Sequence, residues 1–115
     1  MNSVRDTIEY DDFQKIDVRI GTVVAAEHIE GADKLIKCTV DFGSLGERTI
    51  VSGIVKWKKP EELIGKQLPY VVNLAPRVLK GVESQGMLLA LSFNDGTDFA
   101  LLCPEKLVPS GTSIV

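Results

Sequence analysis

The sequence predicts an all-β barrel with one short helix, on three observations. Six or so strand-sized apolar runs succeed one another, and none has the length of a long helix. Glycine-rich turns separate them at short, even intervals. A single helix signal, Pro60-Glu61-Glu62-Leu63, stands between the third run and the fourth, with proline and two acids suited to a first turn.

Glu9 to Phe13 reads as a turn leading into the first strand, where Asp11 or Asp12 would cap a short helical turn running through Gln14 and Lys15. Val18–Ile29 is β-branched and begins with period-2 alternation, so it reads as the first strand; Gly21 inside it marks a bend, a bulge or a close backbone approach. Glu30 to Asp33 is a turn. Lys34–Phe42 reads as the second strand, the Gly43-Ser44-Leu45-Gly46 loop as a hairpin, and Arg48–Ser52 as the third strand. After the helix, which Gly65 would stop, Gln67–Asn73 is a strand and Leu74–Gly86 a long loop. Met87–Phe93 and Phe99–Cys103 form a last pair joined by Asn94-Asp95-Gly96-Thr97, and Val108–Val115 is a tail that pairs or docks. A short helix between the third strand and a later one is where an OB barrel carries the helix that plugs it, which favours that barrel over a sandwich.

With 115 residues, 44% hydrophobic and 25% charged, the chain suits one soluble domain spanning 1–115 with a core that needs no metal or disulfide. No apolar run approaches the ~20 residues of a membrane span, and Met1 to Asp6 has no secretory h-region. The expected location is the cytoplasm. Cys38 and Cys103 both sit in apolar runs and read as buried, reduced thiols. The net charge of −3 is unevenly spread. Residues 48–80 hold Arg48, Lys56, Lys58, Lys59, Lys66, Arg77 and Lys80 against Glu61 and Glu62 alone, while both flanks are acidic. Because screening confines a field to ~10 Å, a basic face attracts phosphates even on an acidic protein; ordinary solvated lysines are the alternative.

No P-loop, GxGxxG, GxSxG or HExxH is present, and His28 is the lone imidazole. Asp11, Asp12 and Asp17 are better explained by capping and solvation than by metal or acid–base work. The chain therefore reads as a non-enzyme with no metal and no cofactor. Asn73 to Met87 holds a binding toolkit instead. Arg77 and Lys80 suit phosphates, Asn73, Ser84 and Gln85 suit bases or 2′-hydroxyls, Gly81 and Gly86 allow close backbone approach, and Met87 offers a soft surface to an unstacked base. A purely structural loop is the alternative for each. Trp57, among Lys56, Lys58 and Lys59, either stacks a base or packs on the barrel with lysines around it.

Five segments resemble the tRNA-binding domain shared by a free-standing tRNA-binding protein, the C-terminal appendix or beta subunit of methionyl-tRNA synthetase, and the C-terminal region of the endothelial monocyte-activating polypeptide. They are Asp12-Phe13-Gln14-Lys15-Ile16-Asp17-Val18-Arg19-Ile20-Gly21, Ala32-Asp33-Lys34-Leu35, Arg48-Thr49-Ile50-Val51-Ser52-Gly53-Ile54, Asn73-Leu74-Ala75-Pro76-Arg77 and Ser84-Gln85-Gly86-Met87, in the family's order and spacing over about residues 10–115. The resemblance implies an OB fold with a C-terminal extension, and a cytoplasmic homodimer assembled from the chain ends. It further implies recognition of tRNA by shape and phosphate charge, free-standing or as a trans-acting accessory of an aminoacyl-tRNA synthetase. The contact positions it implies are Lys34, Arg48, Ser52, Asn73, Arg77, Lys80, Ser84, Gln85 and Met87, with Arg19 either a contact or paired to Asp17 or Asp33. One branch of the family resembles a secretion-related chaperone of unfolded or precursor polypeptides, which is the alternative function. Met1 lies only about ten residues before the shared region, so the chain is expected to be free-standing.

Overall fold

Alternation of β-branched residues makes Val18–Ile29 (β1) the strand on which the other elements are assembled. The computed structural model describes residues 3–115; Met1 and Asn2, part of the expected 1–115 domain, lie outside the described residues. A short helix, Tyr10–Phe13 (α1), precedes β1. Antiparallel β2 (Ala32–Asp41) and β3 (Glu47–Ser52) follow, joined by a tight turn over Gly43–Leu45. Then come helix α2 (Pro60–Leu63), β4 (Gln67–Val71), a hairpin of β5 (Arg77–Leu79) and β6 (Val82–Ser84), β7 (Met87–Leu88), and a second hairpin of β8 (Ala90–Phe93) and β9 (Asp98–Leu101). The main sheet runs β3-β2-β1-β4-β7. The chain is thus all-β and OB-like, with α2 between β3 and β4 as the sequence predicts.

The core follows from period 2. Ile36, Cys38 and Val40 of β2 alternate inward and meet Val23, Ile50, Leu68 and Tyr70. Phe42 and Tyr70 pack edge to face, with ring centroids 5.5 Å apart. Leu63 of α2 is buried among them, and Gly65 beyond it bonds to Val23 O at 2.7 Å, so the helix covers one end of the sheet. Gly21 is a close approach: a Cβ there would run into Val40 and lie 2.7 Å from the Phe42 ring. The bulge in β1 falls instead at Val24.

Four local expectations are corrected. The α1 turn is capped by neither Asp11 nor Asp12 as first residue; Glu9 precedes the helix and Asp12 bonds back to the Glu9 N–H at 3.1 Å. The long loop Leu74–Gly86 contains the β5–β6 hairpin, turned by Lys80 and Gly81 with both φ positive (50° and 79°). Met87–Phe93 is two strands, since Leu89 N bonds to Pro69 O at 3.0 Å and Pro69 has no N–H to return the bond, so the ladder stops. Cys103 is exposed, whereas Cys38 is buried, and both are free. The tail does pair. Gly111 N donates to Ile20 O (2.7 Å), Ile20 N to Thr112 O (2.8 Å) and Ile114 N to Val18 O (2.9 Å). The Gln67 amide reaches both Val108 O (2.7 Å) and Val108 N (3.0 Å), standing in for a strand ladder.

Gly21→Ala is expected to destabilise the fold by at least about 1–3 kcal/mol through overpacking. Gly53→Ala, where an added Cβ meets nothing nearer than 3.8 Å, should stay within about 0.5 kcal/mol. Urea unfolding of the two variants checks the contrast. Burial pushes the Cys38 thiol from its ordinary 9.0 up to about 11. The folded chain therefore holds this proton longer than the unfolded chain, and the stability it contributes, full below about pH 9, should fall as pH rises from 9 to 11. Cys38→Ala should remove the part of the decline that sets in between pH 9 and 10, while a decline above pH 10 persists because burial also raises the buried Tyr70 phenol.

Candidate ligand-binding cleft

β3 lies at one edge of the main sheet, and no strand ladder joins it to β7 at the other edge among the described residues. Side chains and one backbone bond bridge the gap instead. Ser84 Oγ accepts from Val51 N at 2.9 Å and donates to Gly86 O at 3.3 Å. Gln85 uses its side-chain carbonyl to accept from Thr49 N (2.9 Å) and its own N–H to donate to Thr49 O (2.8 Å). The Arg48 guanidinium donates to Val72 O at 2.5 Å and to Gln85 O at 3.3 Å. At the other end of the segment, Asn73 accepts from Asp17 N (2.9 Å) and donates to Lys15 O (2.6 Å). Buried Ser84 is the register partner of Arg77. Fixing Ser84 on β3 thereby fixes Arg77 across the hairpin from it.

The hairpin, β3 and the start of β7 enclose a cleft of about 300 Å³. Ser52, Arg77, Ser84 and Met87 of the expected contact residues line it, together with Gly53, Ile54, Leu74, Ala75, Leu79 and Phe99. No acidic residue does. Among the described residues the Arg77 guanidinium and the Ser52 hydroxyl have no hydrogen-bond partner, and Met87 is 46% exposed. Lys34 lies beside the cleft, its carbonyl oxygen near Gly53, and Lys80 stands at the hairpin tip.

Three of the nine expected contact residues thus present free side chains inside one cleft, and two lie around it. Arg48, Asn73, Ser84 and Gln85 use the polar groups that suit a ligand to hold the backbone together instead. Leu79, Ala75 and Phe99 line the cleft as well, beyond the expected contact residues. Leu79 shares the Arg77 face by period 2, a usable signal, but nothing local to Phe99 ties it to a loop twenty residues earlier.

The basic residues of 48–80 do not share one setting. Arg48 turns to carbonyl groups, Lys56 bonds to Gly96 O at 3.1 Å above the Trp57 ring, and Lys66 lines a separate shallow hollow with Cys103 and Lys106. Trp57 takes the packing role, stacked on Phe99 at 4.9 Å with its ring N–H buried and unpartnered. Arg19 pairs with Asp17 at 3.0 Å, one of the two structural roles open to it.

A helix-covered sheet with one acid-free cleft beside its β3 edge defines a small OB-like binding module. The chain belongs to the family described as "Putative tRNA binding domain", whose sequence model matches residues 18–113. It is 49% identical over 111 residues to a methionine–tRNA ligase of Parabacteroides distasonis, covering 96% of this chain and 16% of that protein. The chain therefore spans about a sixth of the length of the curated relatives it matches. Among solved structures, a MetRS related protein from Pyrococcus horikoshii is similar at 43% identity and a TM-score of 0.90, over 96% of this chain and all of that one. The chaperone CsaA of Bacillus anthracis is similar at 35% and 0.86, over 96% of this chain and all of that one.

Exposed Cys103 should react with a thiol reagent in the folded protein, and Cys38 only after unfolding, giving one titratable thiol in buffer and two in denaturant. Asn73→Ala should lower stability by about 1 kcal/mol, since two backbone groups lose a partner, whereas Arg77→Ala should leave it within about 0.5 kcal/mol. Denaturant midpoints of the pair decide between anchoring and presenting roles.

Proposed function

We propose that the chain binds tRNA by shape and phosphate charge, as a non-enzymatic module acting alone or beside a methionyl-tRNA synthetase in the cytoplasm. The carrying observation is the unpaired Arg77 in an acid-free cleft of a chain whose family is that of tRNA-binding domains. Arg77, Lys80 and Lys34 meet phosphates, and Ser52 and Met87 meet a base or ribose. Arg48, Asn73, Ser84 and Gln85 act on the ligand by holding the segment that presents the others. The single domain spans residues 1–115. A homodimer built from the chain ends is part of the reading, supported by apolar side chains exposed at both ends, among them Ile8, Phe13, Leu107 and Ile114. The similarity to the CsaA chaperone sustains the second reading, binding of unfolded polypeptide.

A gel shift with total tRNA at 50 and 200 mM salt tests the main reading, with expected retention at low salt and steep loss at high salt. Arg77→Ala should weaken binding and reduce the slope of log affinity against log salt by about 1. Absence of tRNA retention at low salt, with capture of an unfolded polypeptide instead, would favour the chaperone reading. A solution mass of one chain would remove the dimer.

A further inference from the structure

The cleft is poor in polar groups, and the few it has are unequal. The Ser84 hydroxyl is engaged with Val51 and Gly86, which leaves Ser52 and Arg77 as its free polar side chains. Two glycines line it and differ in the same way. At Gly86 a Cβ would come within 2.9 Å of the Ile50 end methyl and 3.1 Å of Val71 O, so a side chain there would force its neighbours to shift. At Gly53 the backbone is not left-handed, and a Cβ would meet only Lys34 O at 3.8 Å and Leu35 at 3.9 Å. The fold makes no steric demand for glycine at 53. Lys80 shows a comparable feature. It sits at φ 50° in a turn position suited to Asn or Gly, local strain that holds an ammonium group at the hairpin tip.

A volume of about 300 Å³ is at the lower end of small-ligand sites, which run from about 300 to 1,000 Å³. It suits one planar group with one hydrogen-bonding edge. We propose that the cleft captures a single unstacked base of the bound RNA, laid against the Met87 thioether, with an edge on the Ser52 hydroxyl and its phosphate on Arg77. This rests on the tRNA reading and adds to it: the phosphate surface supplies shape recognition, and the cleft requires an unpaired base within that shape. Charge complementarity chooses this occupant over an apolar peptide side chain. A base brings its phosphate to the free guanidinium, whereas a peptide backbone brings only neutral amides to it. Unpaired bases recognised on apolar or aromatic surfaces are the common currency of RNA readout.

The chain has two methionines, Met1 and Met87, so methyl-13C-methionine labelling gives one reporter inside the cleft. Titration with total tRNA should move the Met87 methyl upfield by the ring current of the stacked base. A blunt, fully paired RNA duplex should leave it in place. Met87→Ala should weaken tRNA binding about two- to tenfold, the scale of one lost sulfur–aromatic contact, with the salt slope unchanged because no phosphate contact is lost. The base site is overturned if tRNA is retained on the gel while the methyl stays still. It is equally overturned if the duplex moves the methyl as far, or if only an unfolded polypeptide moves it. No retention of tRNA by the wild type is a different failure: it removes the RNA reading itself, and the base site with it.

Discussion

The hydrogen bonds that Ser84, Gln85 and Arg48 throw across the gap between β3 and the segment before β7 are what the site depends on. An ordinary ladder would bring those backbones to strand spacing and leave no room between them. Here a single backbone bond, Gln85 N to Thr49 O at 2.8 Å, is flanked by side-chain bonds from Ser84, Gln85 and Arg48, which reach further than a backbone N–H. Thr49 N, Thr49 O and Val51 N of β3 are thereby satisfied, that stretch of edge is protected from pairing with another chain, and space remains beside it. Gly86 lets the segment come down onto Ile50 and Val71, and the β5–β6 hairpin then rises from that anchored base. Arg77 stands in the cleft because its register partner is pinned to β3.

This arrangement explains which parts of the site were legible in the sequence. Asn73, Ser84 and Gln85 are donors and acceptors on a glycine-containing segment, and by residue type they suit a ligand and a backbone equally well. For Ser84 and Gln85 the missing backbone ladder beside β3, some thirty residues away, decides their use, and for Asn73 it is the chain at Lys15 and Asp17, further off still. Arg48 is ambiguous in the same way, since a guanidinium reads as a phosphate ligand until two carbonyl groups are placed against it. Arg77, Ser52 and Met87 converge on one cleft although they come from three elements. The motif segments that place them together are legible, but the distances between those segments are not.

The fold was legible where local rules act alone. The alternation in β1 and β2, the proline and acids of α2 and the glycine after it place those elements within a residue or two. It was illegible where a bond from elsewhere intervenes. The break at Leu89 comes from the missing N–H of Pro69, a residue on a neighbouring strand. The Lys80-Gly81 turn lacks the Asn-Gly signal of such hairpins, so two three-residue strands read as loop. Cys103 sits just beyond β9, where the apolar run continues but the sheet does not, and the thiol turns out to solvent. The tail is tied by the Gln67 amide, a polar side chain within a fully buried strand, whose purpose becomes visible only with Val108 beside it.

A net charge of −3 is compatible with a phosphate ligand once charge is counted by place. Carboxylates are absent from the cleft lining, and two of those near the N-terminus are engaged locally, Asp12 with Lys15 and Asp17 with Arg19. At physiological salt a carboxylate beyond about 8 Å contributes little to the potential at Arg77. The sequence-level concentration of cations in 48–80 is for that reason a poor guide, since the fold turns Arg48 to carbonyl groups and sends Lys66 to another hollow. What governs affinity here is the small number of cations left free around one opening. A module with few phosphate contacts binds weakly by charge alone, so it gains most from any contact that is not electrostatic. The Met87 surface of the cleft in which Arg77 stands supplies one.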